Sequence, residues 1–190
     1  SLTIFHYTYK HLKFLRILKI EYFTISLLGL IGTMIMISAN SLLMLYLGIE
    51  LLSLSLYAVI GFNKKSSLSS EAAIKYYVLG AMSSGILLFG ISLIYGFTGS
   101  IAYDDIASQL INVDMNSVDY IAIIFGIIFI TASLCFKFGA APFHMWVPDI
   151  YQGSLISTTI LLSTLPKIAV FIVFLKLYFI PFILFREVWS

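Results

Sequence analysis

The 190-residue chain is 61% hydrophobic and 11% charged, with a mean hydropathy of +1.04 and a formal net charge of +2. That balance leaves too little polar surface for a soluble domain and reads as an integral membrane protein with little mass outside the bilayer. Cys135 is the single cysteine, which excludes an internal disulfide, and no Cys/His cluster or glycine-rich phosphate loop offers a place for zinc, haem, an iron–sulfur centre or a nucleotide. No cofactor is expected on this chain, and any redox chemistry belongs to another polypeptide.

Residues 1–21 read as a basic, aromatic arm without the small-residue cleavage site of a secretory signal. Lys10, Lys13, Arg16 and Lys19 recur every three residues, which predicts a short basic helix along the membrane surface, against anionic headgroups or neighbouring subunits. Residues 22–180 hold five apolar spans, over 22–38, 42–62, 71–97, 120–138 and 154–180. Each is near the ~20 residues that cross a ~30 Å hydrocarbon core. The polar turn "SANS" joins the first two. The loop "NKKSSLSS" precedes the third, with Ser69 or Ser70 as its cap and Glu71 in its first turn. The connection 98–119 has room for a short surface helix, and residues 181–190 form a tail. The expected fold is an all-α membrane bundle of about five transmembrane helices, one of them discontinuous.

Charge sets the orientation. The arm and Lys64 and Lys65 share one side if both first helices cross, whereas the 98–119 connection carries Asp104, Asp105, Asp114 and Asp119 and no Lys or Arg. The arm and the 63–70 loop are therefore expected on the cytoplasmic or matrix side.

Three charges fall inside apolar runs: Glu50, about 12 Å into the second span at ~1.5 Å per residue, Lys167 near the middle of the fifth, and Lys137 late in the fourth. A charge at the bilayer centre costs about 2.5–3.5 kcal/mol even on insertion scales. Two readings stand: a structural ion pair between helices, or a polar path along which side chains of tunable protonation pass protons. Lysine suits a path because it can lose its proton, as arginine cannot. On either reading Glu50 is expected to approach one of the lysines. Gly139 and Pro142 follow Lys137 in "KFGAAPFHMWVPDIYQG". They either break the helix within the membrane, freeing carbonyls and admitting water, or end an ordinary helix before a surface loop. Lys75, four residues after Glu71, reads first as an anchor at the start of a helix and second as a path residue. His144 and Asp149 read as structural, a polar contact and a cap after Pro148, with His144 a secondary candidate for the path. Gly80, Ser84, Gly85 and Gly90 read as close-packing positions, and Lys176 and Arg186 as markers of the end of the fifth helix.

The stretches "SANSLLMLYLGIELLSLSLYAVIGF", "SSEAAIKYYVLGAMSSGILLFGISLIYGFTGS" and "FKFGAAPFHMWVPDIYQGS" resemble the antiporter-like membrane subunits of respiratory NADH:ubiquinone oxidoreductase (complex I), subunit 2 in particular, over about residues 20–180. The resemblance implies a proton-translocating membrane-arm subunit of that enzyme, with no redox site on this chain. Glu50 then matches the key glutamate, Lys137 the lysine on the discontinuous helix, and Lys167 in "LPKIAVF" the central connecting lysine. The family's fold holds two inverted five-helix repeats, and this chain looks like the first. The partners implied are the other membrane-arm subunits, lipids and a second chain carrying the missing C-terminal repeat, and no nucleic acid. Without that repeat Glu50, Lys137 and Lys167 are expected to face lipid. The missing repeat implies either a piece of a longer chain or a split gene, and the Ile-, Phe-, Tyr- and Lys-rich composition suggests an AT-rich organellar genome, so a split gene of the mitochondrial inner membrane is expected, with a bacterial plasma membrane as the alternative. Leu155 departs from the family's usual proline after "YQGS". Two other functions remain open: a structural membrane-arm subunit that has lost transport, and a subunit of the related multisubunit cation/proton antiporters.

Overall fold

The computed structural model describes residues 2–111 and 118–183, so Asp114, Arg186 and most of the 181–190 tail lie outside the described residues. Eight helices follow one another: α1 (Leu2–Phe14), α2 (Ile20–Ser38), α3 (Leu42–Ile60), α4 (Ser67–Thr98), α5 (Tyr103–Leu110), α6 (Val118–Phe138), α7 (Trp146–Gly153) and α8 (Ile156–Phe179). Among the described residues, α2, α3, α4, α6 and α8 are long and apolar enough to cross a membrane. The protein is a multi-pass membrane bundle.

Helix boundaries follow from caps. Ser41 accepts from the Met44 N–H at the start of α3. Ser66, rather than Ser69 or Ser70, accepts from the Ser69 N–H, so α4 begins earlier than its apolar pattern and Glu71 lies beyond the first turn. The Ser69 hydroxyl is engaged elsewhere, donating to the Ile60 carbonyl at 2.6 Å and tying the start of α4 to the end of α3. Leu155 is the residue before α8, at φ −64°. A proline would impose about that angle, so its replacement here leaves the entry to the helix unchanged. The basic arm is helical only as far as Phe14; Arg16 adopts φ 56° and Lys19 precedes α2, so these two charges leave the helix on which Lys10 and Lys13 stand.

α2 and α3 meet at backbone contact. A Cβ on Gly32 would lie 2.7 Å from the Leu52 N, and one on Gly48 2.7 Å from the Met36 N. Backbone cannot rotate away as a side chain can. Gly48→Leu is therefore expected to lower stability by about 1–3 kcal/mol or more through overpacking, read as a reduced midpoint of thermal unfolding in detergent.

At the far end of the pair, the "SANS" turn is held by three elements. The Leu42 N–H donates to the Ile101 carbonyl, the Tyr103 N–H to the Asn40 carbonyl, and Lys176 of α8 donates to the Ala39 carbonyl and the Asn40 side chain. The predicted helix in 98–119 is α5, which turns Tyr103, Ile106 and Leu110 into the protein.

α4 spans 32 residues, about 48 Å at ~1.5 Å per residue. Two shorter helices cover its length. Gly126 of α6 packs on Gly90, and Ser133 exchanges hydrogen bonds with Ser83. After a gap, Trp146 of α7 stacks on Tyr76, and Gly153 rests against Leu68 and Ala72. α6 and α7 are thus two halves of one discontinuous helix antiparallel to α4, interrupted at 139–145.

Candidate functional site

The interruption begins with a capped helix end. Gly139 adopts φ 75°, a left-handed conformation that glycine enters without steric cost. Its N–H donates to the Phe136 carbonyl and the Ala140 N–H to the Cys135 carbonyl. This is the paired closure that satisfies the last orphan carbonyls of a helix. Pro142 stands three residues later in an exposed turn, so Gly139 ends α6 and Pro142 keeps it from resuming. Trp146 reaches back to donate to the Phe136 carbonyl at 3.0 Å. The Phe138 carbonyl, left over, accepts from the Lys167 ammonium of α8. That ammonium also lies 5.2 Å from the Trp146 ring centroid and 5.4 Å from that of Phe138, within cation–π range. Lys167 itself follows Pro166, which removes one backbone donor from the middle of α8.

Two residues before Gly139, Lys137 is 7% exposed. Its ammonium donates to Ser53 Oγ at 2.9 Å and to Ser84 Oγ at 3.3 Å. Ser53 lies in the middle third of α3 and Ser84 at the centre of α4, so the lysine sits near mid-depth although it is at the end of its own helix. Glu50 is one turn before Ser53 on α3. It is close enough for its charge to bear on Lys137, yet the two close no ion pair, and its buried Oε1 has no hydrogen-bond partner among the described residues. A void of about 10 Å³, lined by Ser53, Tyr76, Lys137 and Pro166 among others, lies between α3, α4, α6 and α8. That is room for about one water.

The structure therefore gathers Glu50 and Lys137 around Ser53, and sets Lys167 beside the break. The expectation that Lys137 faces lipid in this half alone is corrected: α3, α4 and α6 enclose it, while Glu50 and Lys167 are half-buried. Ser84, read as a packing position, is a partner of Lys137. Gly80 and Gly90 do pack closely, but Gly85 faces open space.

Lys75 and His144 stand apart. Lys75 pairs with Glu71 Oε1 and Asp149 Oδ2, each at 2.9 Å, and all three side chains are about half exposed. The pair expected within α4 thus extends to α7. Asp149 is an ion-pair partner and not a cap, because Pro148 lies inside the first turn of α7. His144 is exposed in the turn 141–145. No group of three or more potential metal-binding side chains occurs among the described residues.

A long helix flanked by a discontinuous one, with a buried lysine at the break, places the chain among antiporter-like membrane subunits. The family model described as "NADH:quinone oxidoreductase/Mrp antiporter, TM" matches residues 39–189, and the chain belongs to that family. It is 50% identical over 157 residues to NADH-quinone oxidoreductase subunit N of Ruthia magnifica subsp. Calyptogena magnifica, covering 83% of this chain and 32% of that protein. To the subunit N of Pelagibacter ubique (strain HTCC1062) it is 44% identical over 181 residues, 95% of this chain and 37% of the other. A chain of respiratory complex I from Thermus thermophilus superposes with a TM-score of 0.71 at 31% identity, over 83% of this chain and 34% of that one. A chain of the Mrp complex from Dietzia sp. DQ12-45-1b shares the fold alone, with a TM-score of 0.74 at 21% identity, over 86% and 30%. The chain spans about a third of the length of the curated relatives it matches. These relatives are bacterial, which accords with the bacterial plasma membrane and leaves a mitochondrial origin unsupported.

Proposed function

We propose that this chain works as one half of a proton-translocating unit in the membrane arm of an NADH–quinone oxidoreductase, with Glu50, Lys137 and Lys167 on the proton path. The observation that carries the reading is the way Lys137 is held. A structural ion pair would close Glu50 onto the ammonium and gain stability only with that contact made. Here two neutral hydroxyls from different helices hold the ammonium, and the carboxylate stands nearby with an oxygen free. An ammonium held by hydroxyls can release its proton without leaving a bare carboxylate behind, and it can change partners by rotating its own flexible stem.

Lys167 supplies the next station. Its ammonium is held by the Phe138 carbonyl and two aromatic faces, with no carboxylate in contact among the described residues, at the point where α6 stops.

The partners in this reading are other membrane-arm subunits, lipid and the remaining repeat of the fold, on this polypeptide or on a second one. Ile168, Phe171, Leu175 and Phe179 line an exposed stripe of α8 at helical spacing, an apolar face for that repeat or for lipid. The test is Lys167→Met in the intact complex. NADH-driven proton uptake into vesicles is expected to fall several-fold with assembly retained. Wild-type uptake in the assembled variant would remove Lys167 from the path.

A further inference from the structure

Tyr57 lies outside the machinery described so far. It follows Ser53 by four residues and Glu50 by seven, so all three polar tips share one face of α3. Its hydroxyl is enclosed by protein and closes no full hydrogen bond among the described residues, with the Ser53 hydroxyl near enough to act on it. The ring is fixed edge-on against Tyr76 and Tyr77, with centroids 4.9 and 5.6 Å away. Gly80 forms the floor beneath it: a Cβ there would overlap the hydroxyl and come within 2.9 Å of the ring carbon that bears it.

The oxygen is therefore accommodated at some cost. A buried hydroxyl without a partner costs about 1–3 kcal/mol. Phenylalanine would keep both ring contacts, avoid that cost and relieve the constraint on Gly80. A packing role asks for the ring and not for the oxygen. The oxygen's neighbour is Ser53, whose hydroxyl already accepts from Lys137. Along the axis, Tyr57 lies about 6 Å past Ser53, four residues at ~1.5 Å each, in the direction of the turn that carries the exposed Lys64 and Lys65.

We propose that Tyr57 is a further proton-path residue, whose hydroxyl relays protons between the Lys64–Lys65 side of the membrane and Lys137 by way of Ser53. A small rotation of the Ser53 hydroxyl closes its hydrogen bond with Tyr57; the phenol then takes a proton on its lone pair from a hydronium at its outer side, which is left as water, while its own O–H proton passes to the Ser53 oxygen. Ser53 in turn hands its proton to the neutral Lys137 amine. One O–H bond breaks and one forms at each hydroxyl, so both end neutral and one positive charge has moved to Lys137. This rests on the proton-translocating reading above.

The experiment compares Tyr57→Phe, Tyr57→His and Lys137→Met in the whole assembled complex, measuring NADH-driven proton uptake into vesicles and its solvent deuterium isotope effect. In Tyr57→Phe, uptake is expected to fall roughly tenfold, about one decade of barrier, and the isotope effect to rise. Tyr57→His, which can again take and give a proton, should recover part of the loss. Should Tyr57→Phe fail to assemble, Ser53→Ala interrupts the same line by removing one oxygen and carries the same expectations. Impaired Lys137→Met beside wild-type uptake in Tyr57→Phe (or in Ser53→Ala where that stands in) would overturn the relay alone. Wild-type uptake in Lys137→Met would overturn the reading on which it rests.

Discussion

Lys137→Met is expected to leave the assembly intact and, on the proposed function, to cut proton translocation through this half. Methionine matches the lysine stem in length and carries no charge, and the half-buried Glu50 carboxylate loses the cation that bears on it. Ser53 and Ser84 lose an external donor, but a helical serine can turn its hydroxyl to the carbonyl one turn earlier, as Ser55 does toward Leu51. The desolvation cost of the buried ammonium, of the order of several kcal/mol, disappears with it and offsets the loss at Glu50. Stability is therefore expected to stay about level. Proton flux through this half falls by about a hundredfold, the scale of losing one positioned acid–base group. The check is a paired measurement of thermal midpoint and NADH-driven proton uptake, and a parallel loss of both would point to a structural role.

Gly139→Ala carries the second large effect, and it acts on Lys167. The left-handed backbone at this position costs an L-residue about 1–2 kcal/mol. The new Cβ would also lie 2.9 Å from the Lys167 nitrogen and 3.0 Å from Val147 Cγ2. The ammonium is displaced from the Phe138 carbonyl, and the carbonyl loses its partner. The expected result is a lower thermal midpoint together with a several-fold loss of proton uptake. Because part of the effect passes through the ammonium, the stability loss should shrink when Gly139→Ala is made in a Lys167→Met background. Contacting residues couple in this way, whereas independent ones add. Strict additivity of the two would separate the cap from Lys167.

Much of this arrangement is legible in the amino-acid sequence, for reasons tied to particular residues. Glu50, Lys137 and Lys167 stand out because a charge in an apolar run is costly wherever it lies. The five spans are legible because length and apolarity alone define a crossing helix. The interruption is legible from Pro142, although the residue that ends α6 is Gly139, through a cap whose hydrogen bonds are local and whose φ the sequence only hints at. The partners of Lys137 were hidden. Ser53 and Ser84 look like any small residues that let membrane helices approach, and only the packing of α3 and α4 against α6 turns their hydroxyls toward one ammonium. Tyr57 is one of twelve tyrosines, and nothing local marks its oxygen as enclosed. The start of α4 was misplaced because Ser66, Ser67, Ser69 and Ser70 all qualify as caps by type. The link from Lys75 to Asp149 joins residues 74 apart, a separation that no local pattern spans.

The α6–α7 interruption sets Lys137 at a helix end, with a full helical turn before it and none after. At the end of α6, the turn that follows is a loop closed by Gly139. The lysine then has the protein's interior on one side and a small void on the other, and Pro166 brings a second disturbed helix to the same level. Both disturbances sit where backbone irregularity is lined by protein and not by lipid, the condition under which a membrane tolerates it.

A proton path through Lys137 requires that this lysine give up and regain a proton and not stand as a fixed cation. Lys137→Arg separates the two most directly. Arginine keeps the positive charge and can donate to Ser53 and Ser84, but it does not deprotonate in a protein. The measurement is NADH-driven proton uptake by vesicles holding the assembled variant complex, normalised to electron flow. Uptake as low in Lys137→Arg as in Lys137→Met is the expected result. Uptake at the wild-type ratio in Lys137→Arg would contradict it and make Lys137 a structural charge.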